Sequence, residues 1–194
     1  NPLLNLNQLT TRGIDIEGSY NLPLADVSSG LSGNLGLRVL ATHILELTTV
    51  TPAGIATDRA GQNGSPVSAP SGVPDWQVNG YLTYSGDRFS AQAQVRYTSP
   101  GLRDVTLIGP SQAGYSTALP NSTNLNRISA YTYVNINAQY AVIADGNRRV
   151  ELFGAINNLF DKDPPIAPSS FGPTNNVLYD VLGRTYRVGV RFAY

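Results

Sequence analysis

Few residues of this chain are of the types that do catalytic chemistry, and their spacing works against it. His43 is the one histidine and there is no cysteine among 194 residues, so neither a zinc site of the usual kind nor a thiol nucleophile can be assembled. A lone imidazole beyond the apolar run of its segment reads as a solvated rim residue rather than a base or ligand. Asp161 and Asp163 stand beside Asn157 and Asn158, but the Gly and the distal Glu of an EF-hand loop are missing. Those Asn and Asp side chains are expected instead to hydrogen-bond nearby backbone and order the start of a loop. Asn121-Ser122-Thr123 has the form of a glycosylation acceptor, read here as chance, and Gly30, Gly33 and Gly36 lack the strand-turn-helix context of a dinucleotide fingerprint. No metal, no cofactor and no enzymatic activity are expected. What remains for binding are the aromatics Tyr115, Tyr131, Tyr133, Phe171 and Tyr179 and the cations Arg59, Arg103 and Arg127. Such rings stack on sugars or aryl groups, and guanidinium pairs with anions.

The elements that must position these residues follow a period of two, not 3.6. From Trp76 to Tyr84 one face reads Trp76, Val78, Gly80, Leu82, Tyr84; from Phe89 to Tyr97 it reads Phe89, Ala91, Ala93, Val95, Tyr97. Both strips begin and end with an aromatic, and Gln77, Asn79, Thr83, Ser90, Gln92, Gln94 and Arg96 lie opposite. At a tilt of roughly 45° and about 3.3 Å per residue, such a strip rises about 20 Å, close to the apolar band of an outer membrane between its aromatic girdles. Five further segments alternate in the same way, at about Thr11 to Leu22, Gly33 to Leu47, Tyr131 to Val142, Arg149 to Asn158 and Arg184 to Tyr194. Phe153 is the one large residue on the wrong parity.

The connections alternate in length. Ser85 to Arg88 and Asp145 to Arg148 are tight and Asn21 to Gly33 is moderate, whereas Thr48 to Asp75, Thr98 to Ala130 and Leu159 to Gly183 are long and rich in Gly, Pro, Ser and Asn. Long structureless loops argue against a compact soluble domain, but outer-membrane barrels join their strands by short periplasmic turns and long outer loops. On that assignment Tyr84, Phe89 and Tyr140 mark the periplasmic interface and Trp76 and Tyr97 the outer one. Composition agrees: charged residues make up 13% of the chain and the formal net charge is zero, against about 25% charged in an average soluble domain. No apolar stretch reaches the roughly 18 to 20 residues of a spanning helix, and a neutral chain with scattered cations has no nucleic-acid footprint. The rival reading is a half-buried soluble sheet, a lipocalin-like barrel or a sandwich.

A resemblance attaches to particular residues. Ala155-Ile156-Asn157-Asn158-Leu159-Phe160-Asp161-Lys162 resembles the signature that ends the penultimate strand of TonB-dependent receptors, although Asp163-Pro164-Pro165 departs from the family's commonest continuation, an aromatic and a Pro. Arg187-Val188-Gly189-Val190-Arg191-Phe192-Ala193-Tyr194 resembles the terminal signal read by the barrel assembly machinery, with Arg187, Gly189, Phe192 and Tyr194 at its marked positions. Thr11 to Tyr20 and Pro74-Asp75-Trp76 resemble other strands of the same family.

The resemblance implies an all-β, antiparallel up-and-down transmembrane barrel of about 22 strands around a plug, of which residues 1–194 would be the last seven strands. It further implies an outer-membrane transporter that imports a siderophore, saccharide or other scarce nutrient. The lipid bilayer, the assembly machinery, the inner-membrane TonB complex acting through a plug domain and TonB box that are not among these residues, and the rest of the same barrel or a companion chain are the implied partners. Tyr115, Arg127, Tyr131, Tyr133 and Tyr179 would be candidate ligand contacts. A passive porin or adhesin barrel, and an outer-membrane enzyme barrel, are the alternatives. Seven strands with two open edges cannot close a barrel, and with no initiating Met the chain reads as starting mid-protein.

Overall fold

The computed structural model describes residues 8–65, 71–145, 148–167 and 172–193. Tyr194, Phe171 and the centre of the Asp145–Arg148 turn lie outside the described residues.

Strand-forming alternation produces ten strands in chain order: β1 (Gln8–Pro23), β2 (Asn34–Val50), β3 (Ala56–Asp58), β4 (Trp76–Ser85), β5 (Phe89–Thr98), β6 (Gly101–Leu102), β7 (Arg127–Ile128), β8 (Tyr131–Asp145), β9 (Arg148–Asn157) and β10 (Thr185–Ala193). Seven of them form one antiparallel sheet in the order β1-β2-β4-β5-β8-β9-β10, with β3 appended to β2, and β6 and β7 make a separate ribbon. Spatial order equals chain order, the up-and-down arrangement. The sheet is open: among the described residues β1 and β10 each have a neighbour on one side. Because seven antiparallel strands leave β1 and β10 running the same way, the two edges cannot pair antiparallel with each other. Closure therefore needs an odd number of additional strands.

Registers place the apolar strips side by side. Ile14 faces His43, which faces Trp76; Leu37 faces Leu82, which faces Ala93, then Ile136, then Ile156, then Tyr186. The strands are longer than alternation suggests, and two bulges are the reason. One falls between Arg12 and Gly13, where Leu45 is the extra residue; it swings Glu46 onto the outward face, where it meets Arg12 at 2.7 Å. That ion pair stands two residue pairs beyond the Ile14–His43 pair, with Gly13–Ile44 between them, and ends the apolar band. The other falls between Ala141 and Ile143 and carries Ile143 onto the outward face opposite Val150. The moderate turn after β1 contains a single 3₁₀ turn, Leu24–Asp26.

The outward face is uncovered: Ile16 is 52% exposed, Leu82 51%, Val95 43% and Val190 49%. Six hydrophobic residues are buried among the described ones, against ten polar or charged residues. A soluble sandwich would show the reverse, since burying its apolar face is what holds it together. These strands need an apolar solvent.

Candidate functional site

Three surfaces could carry function: the outward face, the inward face and the cap made by the long loops.

On the outward face Trp76 and Tyr97 lie near the outer end and Tyr84, Phe89 and Tyr140 near the other, as their registers require. His43 is not the solvated rim residue expected from sequence. Its ring stacks on Trp76 with centroids 4.2 Å apart and planes 6° from parallel, its Nδ1 lies 2.9 Å from the Asp75 carbonyl, and it is half-buried. Only the cross-strand register reveals this contact, because the two rings are remote in sequence. Between Tyr84 and Tyr186 the small residues Ala91, Ala93, Ala138 and Gly154 open a shallow apolar trough of about 580 Å³.

The inward face is polar and internally paired. Gln92 Nε2 donates to Thr83 Oγ1 at 3.1 Å, Gln94 Nε2 to the Tyr81 hydroxyl at 3.0 Å, and Asn135 Nδ2 to Gln94 Oε1 at 3.0 Å, a neutral ladder across β4, β5 and β8. At one flank Arg38 pairs with Glu17 at 2.7 Å and the Thr42 hydroxyl donates to Asp15 at 2.7 Å. At the other, Glu151 lies between Arg149 at 2.6 Å and Arg191 at 3.2 Å. Phe153 is no error of alternation. It faces Gly189, where an added Cβ would come within 2.4 Å of its ring, and Arg191 sits 5.7 Å from the ring centroid. A glycine on one strand makes room for an aromatic on the next, a known device for covering glycine in sheets.

The third surface was expected to be three structureless loops; it is a folded cap with a polar interior. Asn63, fully buried, donates through Nδ2 to the Ser99 carbonyl at 2.8 Å and the Tyr179 hydroxyl at 3.2 Å, while its carbonyl accepts from Asn175 Nδ2 at 3.0 Å. Arg59, also buried, donates to Gln62 Oε1 at 3.0 Å, and the same oxygen accepts from the Val105 amide at 3.2 Å. One atom goes unmet: Asn63 Oδ1 is the buried side-chain polar atom without a hydrogen bond among the described residues. It lies against Gly101, where a Cβ would approach it to 2.5 Å. The three long connections are thereby joined to one another.

Of the candidate contacts, Tyr131, Tyr133 and Tyr179 come together in one buried cluster with Ile128 and Ala167. Tyr131 and Tyr133 project from the inward face of β8, with centroids 4.6 Å apart. The Tyr133 hydroxyl exchanges hydrogen bonds with the Asp180 carbonyl and amide at 3.0 and 2.9 Å, and the Tyr131 hydroxyl donates to the Asp163 carbonyl. They fasten Asp163 and Asp180 to the wall. Burial pushes the Tyr179 phenol above its ordinary pKa, because the phenolate would lose its hydration. Tyr115 lies apart, half-buried, its hydroxyl donating to Asn124. Arg127 is exposed and, with Asp75, Ala60, Gly61, Pro100, Gly101 and Leu102, lines a cleft of about 240 Å³. Asp75 was read in sequence only as part of a strand entry, since Arg127, which lines the same cleft, is remote in the chain.

The strand end expected to be capped by Asn and Asp side chains is so. Asn158 and Asp161 adopt positive φ of 51° and 52°, a conformation those residue types tolerate. Asn158 Oδ1 accepts from the Lys162 amide at 2.9 Å and its Nδ2 donates to the Lys162 carbonyl at 3.0 Å. Asp161 Oδ1 accepts from the Arg184 amide at 2.9 Å, so this turn also positions the start of β10. Asn157 Nδ2 reaches the Thr185 hydroxyl at 3.2 Å, Leu159 donates to the Val134 carbonyl at 2.8 Å, and Phe160 projects outward, 73% exposed. Arg187 and Phe192 are exposed on opposite faces of β10.

A family model described as "TonB dependent receptor-like, beta-barrel" matches residues 1–159. No curated protein and no solved structure matches the chain.

Proposed function

Because the chain belongs to the TonB-dependent receptor-like β-barrel family, whose members are transporters of the bacterial outer membrane, we propose that it forms wall and outer cap of a receptor that imports a scarce small molecule, a siderophore, saccharide or similar nutrient. Import is driven through the inner-membrane TonB complex by a plug in the lumen. The observation that carries this reading is the division of one sheet into an uncovered apolar face and a hydrogen-bonded polar face. In a bilayer the first contacts lipid and the second lines an interior wide enough for a plug and a solute.

Roles follow from position. Trp76, Tyr84, Phe89, Tyr97 and Tyr140 anchor the wall at the two interfaces, where amphipathic rings are most stable. Arg127, beside Asp75, and Tyr115 are placed to touch solute from the cap, whereas Tyr131, Tyr133 and Tyr179 act by holding the cap to the wall. Asn157, Asn158, Leu159, Phe160 and Asp161 fix the hairpin that delivers β10, and Arg187, Gly189 and Phe192, with Tyr194, present the assembly signal.

Growth of a gene-deletion strain under single-nutrient limitation tests the reading. A defect that appears for one class of nutrient, and that deletion of TonB reproduces without adding to it, is the expected result. Uptake that survives loss of TonB would replace it with the passive porin reading.

A further inference from the structure

Two opposite charges share one cleft of the cap and pair with nothing. In the loops around them, Asp58 Oδ1 accepts the Leu47 and Ala60 amides at 2.9 and 3.0 Å, Asp104 Oδ1 the Thr106 amide at 2.8 Å, and Asp180 Oδ1 the Leu182 amide at 2.9 Å. Arg103 donates to the Leu125 carbonyl at 3.0 Å. Asp75 and Arg127 differ. Among the described residues the Asp75 carboxylate and the Arg127 guanidinium have no hydrogen bond or ion pair, with each other or with a third group, although both line the cleft of about 240 Å³. The carboxylate is half-buried, and a charge withdrawn from water without a partner is costly.

The cleft is framed by hydrogen-bonded backbone on each side. The Gly61 amide donates to the Val73 carbonyl, the Leu102 amide to the Gly61 carbonyl and the Asn63 amide to the Leu102 carbonyl, each at 2.8 Å. Asp75 is fixed through its own carbonyl, which accepts the Ile44 amide at 2.9 Å, and Arg127 through its pairing with Leu102 in the β6–β7 ribbon. Gly61, at φ +76°, lets the chain pass against the carboxylate, since a Cβ there would come within 2.9 Å of Asp75 Oδ1. Charges held in place before a ligand arrives lose little on binding it.

Size and charge together select the ligand. The volume falls below the roughly 300–1,000 Å³ of pockets that enclose drug-sized molecules, so the cleft takes one small group and not a whole siderophore. A simple anion would gain from Arg127 and be opposed by Asp75, and a simple cation the reverse. A sugar would find no ring to stack on, because no aromatic lines the cleft among the described residues, and its hydroxyls would leave both formal charges uncompensated. A zwitterion compensates both through charge-assisted hydrogen bonds. We infer that this cleft binds a group of α-amino-acid type, its ammonium on Asp75 and its carboxylate on Arg127, with Pro100 and Leu102 against its carbon skeleton. The inference rests on the receptor reading above and deepens it by naming the chemistry of the solute.

Equilibrium dialysis of the full-length protein against the common α-amino acids, their N-acetyl and carboxamide derivatives, glucose and citrate tests it. At least one free amino acid should bind, and blocking either its amine or its carboxyl should weaken binding about tenfold or more. Asp75→Asn should abolish the preference for the free amine and keep that for the free carboxyl. Arg127→Gln should do the opposite, and Arg127→Lys should retain binding because it keeps the charge. Neither side chain bonds to the rest of the chain, so the folded, heat-modifiable band on a gel should be the parent's in all three variants. Binding of glucose or citrate in preference to every amino acid, or amino-acid binding that Asp75→Asn and Arg127→Gln leave unchanged, overturns the inference. No amino-acid binding by a protein whose uptake of another nutrient requires TonB overturns it too, and leaves the receptor reading standing. Charge-dependent amino-acid binding together with uptake that survives loss of TonB removes the receptor reading and keeps the cleft's assignment.

Discussion

The sheet and the cap bury opposite things. The membrane-facing strands leave Leu82, Val95 and Val190 about half exposed, whereas the cap encloses Arg59, Gln62, Asn63 and Asn175 almost completely. In the sheet, backbone groups are satisfied by the ladder and apolar side chains are left for a solvent that is itself apolar. Among the described residues of the cap the ladders are two or three pairs long, so side-chain amides do the satisfying and must be enclosed to do it. The difference teaches that this chain has two stabilities. One comes from lipid and is spread over every strand; the other comes from a few hydrogen bonds between remote residues.

The largest expected effect breaks the comparison on the sheet side. Ala93 lies midway between Phe89 and Tyr97 on the outward face, beside Leu82 and Ile136. Ala93→Arg places a guanidinium against acyl chains and should cost about 2–4 kcal/mol, read from denaturant titration of the full barrel folded into liposomes. Gln139→Arg, on the inward face of the neighbouring strand, should stay within about 0.5 kcal/mol. Equal costs at the two positions would mean that the faces do not meet different solvents.

The next effect is confined to the cap. Asn63→Ala deletes a fully buried donor and leaves the Ser99 carbonyl with one partner fewer. The expected loss is about 1–3 kcal/mol, read as faster amide exchange in residues 59–64 and 99–103 and earlier proteolytic nicking there. The heat-modifiable behaviour of the strands should not change. A mutant whose barrel melts early would show that cap and wall form one cooperative unit.

How legible each region was in the sequence follows from the same contrast. Alternation with a period of two exposed the strands and their faces, because neighbours along the chain report it directly; the register that sets Leu37 against Leu82 came from the structure. The bulges at Arg12/Gly13 and Ala141/Ile143 were hidden, since one extra residue looks like any other, and so the segment ends were placed short. Phe153 stood out by parity, but its reason, Gly189, lay across a hairpin 36 positions away. The cap was illegible. Asn63 and Tyr179 are separated by 116 positions, and no periodicity connects a buried amide to the phenol it meets. The candidate aromatics were identifiable as a set, yet their division into a fastened trio, two of them on β8, and an outlying Tyr115 depends on which loop crosses which.

The smallest expected effect sharpens the comparison through pH. The Tyr179 hydroxyl accepts from Asn63 inside the cap, and burial raises its pKa above the ordinary value near 10. A group whose folded pKa is raised contributes stability that is complete below the unfolded pKa and is lost as pH climbs toward the folded one. The cap should therefore be unaffected by pH up to about 10 and loosen above it, as the unfolded loop ionises its phenol and the folded loop does not. Amide exchange of residues 59–64, referenced to the intrinsic base-catalysed rate, would show protection falling in that range. Tyr179→Phe should flatten the dependence, at the cost of the bond to Asn63 at every pH. At mid-strand on the outward face, Ala93, Val95 and Val190 have no proton to lose. Loss of strand protection in the same window, or a Tyr179→Phe profile as steep as the parent's, would place the alkaline sensitivity elsewhere.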